Sequence, residues 1–254
     1  MKRPVVGRPL VFAHRGASQV APENTLPGFE AAIRLGADGV ELDVQYSSDG
    51  HLVVIHDLTL ERLTNGTGRV TAQPLAALRA LDAGSHFGPE FAGTRIPLLG
   101  EVLDLLRGRL LVNVELKSAD AASAGIGTDV VAAVRAHGMA DQVVISSFNP
   151  FALRRAKLAG PEIECALLVA PDLPGWMRWG LTRRYSRADG IHPEAMMVDA
   201  AYVAWATKHC LPLRVWTVDD EAEMRRLLAL GVDAVITDVP DRLVEMMKSS
   251  AAGS

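Results

Sequence analysis

Three acidic residues are spaced so that they could hold a metal ion. Glu41 and Asp43 alternate within one β-rich run, and Glu115 lies in another. Side chains at positions i and i+2 of a strand share a face, so Glu41 and Asp43 project together. Three converging carboxylates repel each other, and a divalent cation removes that cost. Because the set offers oxygen ligands and no cysteine, it favours one hard ion, Mg²⁺ or Ca²⁺, over Zn²⁺.

Two histidines could move protons at the same place. His14 ends the first β-rich run, and His56 ends a run that follows Asp49-Gly50, a pair typical of a hairpin turn. If the chain turns there, the returning strand brings His56 back beside the acidic pair. One imidazole can then take a proton from a nucleophile while the other gives a proton to a leaving oxygen.

Two cationic residues accompany these groups. Arg15 follows His14 directly, and Lys117 lies two positions after Glu115, on the same predicted strand face. Positive side chains stabilise the charge on phosphoryl oxygens, so the whole set suits cleavage of a phosphodiester. A simple ion pair between Glu115 and Lys117, with no metal, is the alternative.

The elements that would position these residues alternate regularly between β-rich and helical patterns. This alternation predicts βα units around a parallel sheet. Strands are predicted at residues 10–13, 39–44, 110–117, 142–147, 164–169, 190–192, 212–218 and 234–237. Helices are predicted at residues 25–35, 101–107, 129–137, 150–159, 176–185, 200–209, 220–230 and 242–248. Asn24 is expected to cap the first helix and Gly36 to end it.

The order of elements predicts the fold class α/β, as a (β/α)₈ TIM barrel with a small insertion after strand 2. Residues 1–254 are expected to form a single domain that contains the insertion at residues 45–98, with a disordered tail at 249–254. A doubly wound open sheet is the rival, but no G-x-G-x-x-G motif follows the first strand. In such barrels the active site lies at the carboxyl ends of the strands. The residues considered above fall at these ends.

Other polar or aromatic residues at predicted strand ends have less certain roles. His192 is as compatible with a structural role as with a functional one, and Trp216 could line a site or fill the core. Asp238 is expected to cap the last helix. Asn113 shares its predicted strand with Glu115.

Composition limits the possible partners. The net charge is −4 and no run of Lys and Arg occurs, so we expect no nucleic-acid partner. No apolar run is long enough to span a bilayer, and no secretory signal is visible, which predicts a cytoplasmic enzyme without stable membrane insertion. Cys165 and Cys210 are expected to be buried thiols. The oligomeric state stays open.

Taken together, these motifs resemble one known family, the glycerophosphodiester phosphodiesterases. They match in order along nearly the whole chain, and the combination is far more specific than any one piece. The matching segments are His14-Arg15-Gly16, Pro22-Glu23-Asn24-Thr25, Glu41-Leu42-Asp43-Val44, Asp49-Gly50, Val54-Ile55-His56-Asp57, Glu115-Leu116-Lys117 and Val215-Trp216-Thr217-Val218.

The resemblance implies an enzyme that hydrolyses a small-molecule glycerophosphodiester to sn-glycerol 3-phosphate and an alcohol. In the family mechanism the 2-hydroxyl of glycerol attacks phosphorus, and water then opens the cyclic phosphate. Carried over by position, the resemblance gives the acid/base pair as His14 and His56, the metal ligands as Glu41, Asp43 and Glu115, the phosphate-binding residues as Arg15 and Lys117, and the glycerol contact as Trp216.

Several points stay open at this stage. Asp219 stands where many relatives carry Asn, which puts fine substrate contacts in doubt. A lysophospholipase D or phospholipase-like activity on lysophospholipids is the alternative function. A non-catalytic binding protein on the same fold would require loss of a histidine or a carboxylate, and the sequence keeps every one of them. Neither the head group nor the choice between Mg²⁺ and Ca²⁺ can be predicted.

Overall fold

A computed structural model of the chain describes residues 8–118, 125–175 and 181–252. Eight of the strands in these ranges are parallel, and β3 runs antiparallel to β2. The strands are β1 Leu10–Ala13, β2 Gly39–Tyr46, β3 Leu52–Val54, β4 Leu111–Leu116, β5 Val143–Ser147, β6 Glu164–Val169, β7 Gly190–Pro193, β8 Arg214–Val215 and β9 Ala234–Thr237.

The parallel strands form a ring in which β1 lies between β2 and β9. The ring closes between β7 and β8 through two single bridges, Ile191 with Leu213 and Glu194 with Trp216, which we call the seam. Because a ring has no open edge, the fold is the predicted (β/α)₈ barrel, and the open-sheet alternative is wrong. Strand β8 is much shorter than predicted, and isolated bridges take the place of a continuous ladder at the seam.

Helices follow the strands, as predicted. Their bounds are α1 Leu26–Leu35, α2 Leu75–Arg79, α3 Leu99–Leu106, α4 Ile126–Ala136, α5 Pro150–Ala159, α6 Leu181–Ser186, α7 Ala200–Lys208, α8 Glu221–Leu230 and α9 Pro240–Ala252. The first five residues of the helix predicted at 176–185 lie outside the described residues. Helix α9 continues to Ala252, into the segment from residue 249 that the sequence analysis expected to be a disordered tail.

Helix α1 begins one residue later than predicted, and its cap moves with it. The side chain of Thr25, not Asn24, accepts a hydrogen bond from the backbone N–H of Gly28. Asn24 lies in the left-handed region, with φ +56°, and its side chain turns towards the barrel. The helix ends at Gly36, whose φ of +80° is typical of a glycine C-cap. The predicted cap at Asn24 is therefore wrong, and the predicted stop is confirmed.

The insertion begins with the predicted hairpin. Gly50 takes a φ of +82° in the turn, and β3 pairs with the end of β2 in the register Val44 with Val54. The rest of the insertion, up to α3, contains α2 and two short 3₁₀ helices. It has a hydrophobic cluster of its own, formed by Val53, Ile55, Leu60, Leu63, Val70, Leu78, Ala83 and Ile96. This cluster fixes the chain that follows β3.

Apolar side chains fill the barrel and its contact with the helices. Leu10, Phe12, Ala234 and Ile236 pack together inside the ring, below the polar strand ends. Cys165 is buried as predicted, but Cys210 is exposed, so that prediction is wrong. Among the described helices, none combines the length and the hydropathy that crossing a membrane requires.

Candidate active site

The three acidic residues meet at the carboxyl ends of β2 and β4. These neighbouring strands pair Asp43 directly with Glu115, and Glu41 lies opposite Asn113. One carboxylate oxygen from each of Glu41, Asp43 and Glu115 lies within 4.8 Å of the other two. All three side chains are buried. The expected convergence of carboxylates is present.

The electrostatics of this cluster fit a divalent cation. Burial and the neighbouring charge of Asp43 raise the pKa of Glu41 well above its ordinary range. Burial also raises the pKa of Glu115. Burial opposes ionisation of Asp43 too, but Lys117, His56 and Arg15 hold its pKa below the usual value. The cluster thus lacks positive charge at Glu41, and a hard cation among these oxygen donors would supply it.

Both predicted cations contact the acidic cluster. The Lys117 Nζ atom lies 2.9 Å from Asp43 Oδ1 and 2.6 Å from Glu115 Oε1. The ion pair between Glu115 and Lys117 therefore exists, alongside an arrangement that fits a metal ion. Arg15 has a φ of +56°, and its backbone N–H donates to Glu41 Oε2 at 3.1 Å. Its side chain lies 3.5 Å from Asp43 Oδ2 through Nε.

His14 is held by an aspartate from the opposite end of the chain. Its Nδ1 atom lies 2.7 Å from Asp238 Oδ1, and its Nε2 atom lies 3.9 Å from Glu41 Oε2. Burial lowers the pKa of His14, but the hydrogen bond with Asp238 and the charge of Glu41 outweigh it, so the net pKa is raised. Asp238 was expected to cap the last helix, and instead it orients this ring.

His56 has the same arrangement with the residue that follows it. Its Nδ1 atom lies 2.7 Å from Asp57 Oδ1. Burial lowers the pKa of His56, and the positive charge of Lys117 adds to this effect, while Asp43 opposes it. In both histidines a carboxylate accepts from Nδ1, which leaves Nε2 as the nitrogen available for proton exchange.

One pocket is lined by every predicted site residue except Asp43, which is buried and contacts the lining residues Arg15 and Lys117. It is lined by His14, Arg15, Glu41, His56, Asn113, Glu115, Lys117, Phe148, Leu168, Trp216, Thr217 and Ile236. The side-chain oxygen of Asn113 is buried and has no hydrogen-bond partner among the described residues. Asn113 lines the pocket and lies opposite Glu41 on the neighbouring strand, so the site contains an unpaired amide oxygen.

Trp216 both lines the pocket and packs against the core, the two positions that the sequence left open. Its ring lines the pocket and packs edge-on against Phe148, with the centroids 5.7 Å apart. Its indole N–H donates to the backbone oxygen of His192 at 2.7 Å, across the seam. The imidazole of His192 is fully buried beside Arg214, and burial keeps its pKa well below the usual value. His192 is absent from the pocket lining.

Sequence reasoning missed two supporting residues and misjudged a third. Asn24 donates to Asp43 Oδ2 at 2.8 Å and accepts from the backbone N–H of Asp43, so it orients a carboxylate of the cluster. The buried Asn113 was noticed on its strand but given no role. Asp219 accepts hydrogen bonds from Thr237 and from the backbone of Asp238, so it supports the partner of His14 and does not line the pocket.

The family model described as "Glycerophosphoryl diester phosphodiesterase family" matches residues 14–242 of the chain. Among curated proteins, a glycerophosphodiester phosphodiesterase of Caldanaerobacter subterraneus subsp. tengcongensis is 42% identical over 240 residues, covering 94% of this chain and 98% of the relative.

Two solved structures extend the comparison. A phosphodiesterase from Oleispira antarctica, in complex with the product sn-glycerol 3-phosphate, is 32% identical with a TM-score of 0.83, over 95% of this chain and 98% of that one. A glycerophosphodiester phosphodiesterase from Agrobacterium tumefaciens is 34% identical with a TM-score of 0.79, over 92% of this chain and 97% of that one.

Proposed function

Since the chain belongs to the glycerophosphodiester phosphodiesterase family, we propose that it hydrolyses glycerophosphodiesters to sn-glycerol 3-phosphate and an alcohol with the help of one divalent cation, Mg²⁺ or Ca²⁺. One observation carries the proposal. Three buried carboxylates cluster at one pocket, which two histidines also line. Each of these histidines is oriented by its own aspartate. The Oleispira relative, with its bound product, supports the same substrate class.

Glu41, Asp43 and Glu115 would hold the cation. When bound there, it supplies positive charge for the oxygens of the phosphoryl group. Arg15 and Lys117 line the same pocket, and their positive charges would bind the phosphate. Trp216 provides a flat apolar wall for the carbon atoms of glycerol.

The opposite pKa shifts of the two histidines support different roles for them in the first step. His56, whose pKa is lowered, is neutral and takes the proton from the glycerol 2-hydroxyl through Nε2. The 2-oxygen then bonds to phosphorus, and the bond from phosphorus to the alcohol oxygen breaks. His14, whose pKa is raised, gives its proton to that oxygen, so the alcohol leaves neutral.

The second step reverses these roles. His14, now neutral, takes a proton from water, and the resulting hydroxide bonds to phosphorus of the cyclic phosphate. The bond from phosphorus to the 2-oxygen breaks, and His56 returns its proton to that oxygen. The product is glycerol 3-phosphate, and both histidines regain their starting states.

A second candidate activity is the release of head groups from lysophospholipids. A groove adjoins the pocket and shares His56, Lys117 and Phe148 with it. Leu58, which is 47% exposed, and the buried Leu116 also line the groove. An apolar groove beside the catalytic pocket could accept an acyl chain, which favours this candidate as the runner-up.

A panel assay tests the proposed function and separates the two candidates. The purified chain is offered deacylated phospholipids with choline, ethanolamine or glycerol head groups, and the matching lysophospholipids. The released head-group alcohol is measured for both substrate classes, and glycerol 3-phosphate is detected by a coupled enzyme for the deacylated ones. We expect turnover of the deacylated substrates, loss of turnover in EDTA, and recovery with Mg²⁺ or Ca²⁺. Turnover of the acylated substrates alone, or full activity in EDTA, would contradict the proposal.

The acid/base assignment has its own test. Replacing either imidazole, in His14→Ala or His56→Ala, is expected to lower kcat by about 10²–10⁴-fold, the usual contribution of a positioned acid or base. The control is His86→Ala, because His86 is exposed and lies outside the pocket lining. Near-native turnover in either variant, with its fold intact by circular dichroism, would make the assignment wrong.

A further inference from the structure

An exposed arginine in the insertion holds two carboxylates at the rim of the pocket. Arg62 donates to Asp57 through Nε at 2.6 Å and through NH2 at 2.8 Å. It also donates to Glu23 through NH1 at 2.8 Å and through NH2 at 2.9 Å. The planar guanidinium thus makes a two-point contact with each carboxylate, the geometry in which arginine fixes orientation best.

Each of these carboxylates also contacts a residue of the proposed catalytic machinery. Asp57 Oδ1 lies 2.7 Å from His56 Nδ1. Glu23 Oε1 accepts a hydrogen bond from Arg15 NH1 at 2.9 Å. Arg62 is therefore the common partner of two orienting carboxylates. Asp57 orients His56, the proposed base, and Glu23 orients Arg15, a proposed phosphate ligand. The chain of contacts runs Arg15–Glu23–Arg62–Asp57–His56.

The charges make Arg62 necessary for this arrangement. Without it, two carboxylates would face each other across the rim with Arg15 and His56 as their remaining partners. The hydrogen bond from Arg62 is the main cause that lowers the pKa of Asp57. For Glu23, burial opposes ionisation, and hydrogen bonds from Arg62 and Arg15 outweigh it. Arg62 keeps both carboxylates ionised and aimed at their catalytic partners.

The fold of the insertion places Arg62 at this position. Leu60 and Leu63 on either side of it are buried in the hydrophobic cluster of the insertion. The hydroxyl of Thr64 donates to the backbone oxygen of Leu60 and tightens the same turn. The backbone is thereby fixed while the Arg62 side chain stays half exposed. Arg62 does not line the pocket itself.

We propose that Arg62 is a positioning residue for the reaction proposed above, and that it acts on His56 through Asp57 and on Arg15 through Glu23. It touches neither substrate nor cation. The Arg62 side chain is half exposed, and exposed ion pairs contribute little to stability, so we expect the fold to persist without it. Misplacing a reacting group by about 1 Å, in contrast, can cost ~10²-fold in rate.

The test compares Arg62→Ala with Arg135→Ala. Arg135 is the matched control because it is similarly exposed and makes a two-point contact with Glu162 on the outside of the barrel. We expect Arg62→Ala to lower kcat by about 10–100-fold with KM changed by less than about threefold. Both variants should unfold at temperatures close to that of the wild type.

Chemical rescue separates positioning from a general loss of structure. Added guanidinium ion, far below concentrations that unfold the protein, should occupy the exposed gap and restore part of kcat in Arg62→Ala, while urea should not. Combining Arg62→Ala with Asp57→Asn should cost less than the two separate losses multiplied together, because both act on His56.

Two outcomes overturn the inference. Arg62→Ala with kcat within twofold of the wild type removes the positioning role, and a rise in KM alone places Arg62 on the substrate. Wild-type protein is assayed in parallel on glycerophosphodiesters. If the wild type is inactive, the proposed function fails; if it is active and Arg62→Ala matches it, only the role of Arg62 fails.

Discussion

Each histidine of the pocket bonds an aspartate through one ring nitrogen and offers the other to the substrate. Burial lowers the pKa of both rings, but in His14 the hydrogen bond with Asp238 and the charge of Glu41 outweigh it, whereas in His56 burial prevails over the charge of Asp43. The two pKa values therefore lie apart, which suits one ring to start as an acid and the other as a base. Between the two pKa values, His14 is protonated while His56 is neutral.

The pH profile of kcat/KM tests this separation. The acidic limb should report His56, which must be neutral, and the alkaline limb His14, which must keep its proton. Because the hydrogen bond from His14 to Asp238 raises the pKa of His14, Asp238→Asn should move the alkaline limb to lower pH. The acidic limb should stay in place. An alkaline limb that does not move would exclude Asp238 as the cause of the raised pKa.

Glu41 should make the stability of the cation-free protein depend on pH. Its pKa is raised on folding, so the folded state binds a proton that the unfolded chain has released. The stabilisation is therefore complete below the unfolded pKa of about 4.3 and is lost as the pH rises through the folded pKa. In EDTA, the unfolding temperature of the wild type should fall as the pH rises from the unfolded to the folded pKa of Glu41. The unfolding temperature of Glu41→Gln should fall less.

Adding Mg²⁺ or Ca²⁺ provides the second arm of that experiment. The wild type should gain stability at the upper end of the window, because the cation replaces the proton on the cluster. Glu41→Gln should gain less, since it has lost one anionic ligand. Equal gains in both proteins would remove Glu41 from the ligand set.

At the residue scale, the sequence predicted groups on strands that are close in the chain and missed those that the pairing of the first strand with the last brings together. Glu41, Asp43 and Glu115 are predictable because strand periodicity and strand order bring them together. The contact between His14 and Asp238 joins residues 224 positions apart, and the pairing of β1 with β9 creates it. Arg62 lies in an irregular segment, where no periodicity indicates the direction of a side chain.

At the element scale, strong local signals were sufficient and weak ones were not. The hairpin follows from Asp49-Gly50, since glycine adopts the required positive φ at low cost. The end of α1 follows from Gly36 for the same reason. The cap of α1 was misplaced by one residue, because Asn24 and Thr25 are both good caps and a buried contact with Asp43 decides between them.

The start of β2 depends on a glycine that allows close packing inside the barrel. A Cβ atom on Gly39 would lie 2.5 Å from a ring carbon of Phe12 and 2.9 Å from the backbone oxygen of Leu111. Gly39→Ala should therefore lower the free energy of unfolding by about 1–3 kcal/mol, the usual cost of overpacking. The measurement is the urea midpoint.

Gly125→Ala is the control for that measurement. Among the described residues, nothing lies within 4 Å of a Cβ atom placed on Gly125, and its φ of −60° suits any residue. Its midpoint should stay close to that of the wild type. If Gly39→Ala is equally neutral, the Phe12 ring is free to move, and the close contact is not a constraint on the strand.

At the scale of the whole molecule, the barrel was predictable because its alternating elements extend along the whole chain. The position of the seam was not predictable. Of the strand predicted at residues 212–218, only two residues form a regular strand. The segment contacts β7 only through isolated bridges. Side chains reinforce the junction: Arg214 pairs with Glu164 at 2.7 Å, and Trp216 bonds the backbone of His192.

The double position of Trp216 links local opening of the barrel to occupancy of the pocket. Separating β7 from β8 would displace the indole wall, so the opened form should bind ligand more weakly than the closed form. Bound sn-glycerol 3-phosphate should then slow hydrogen–deuterium exchange at the seam amides of Ile191, Ala195 and Trp216. The amide of Leu111, bonded across β2 and β4, should exchange at an unchanged rate. Equal protection of both regions would mean that the barrel opens only as a whole.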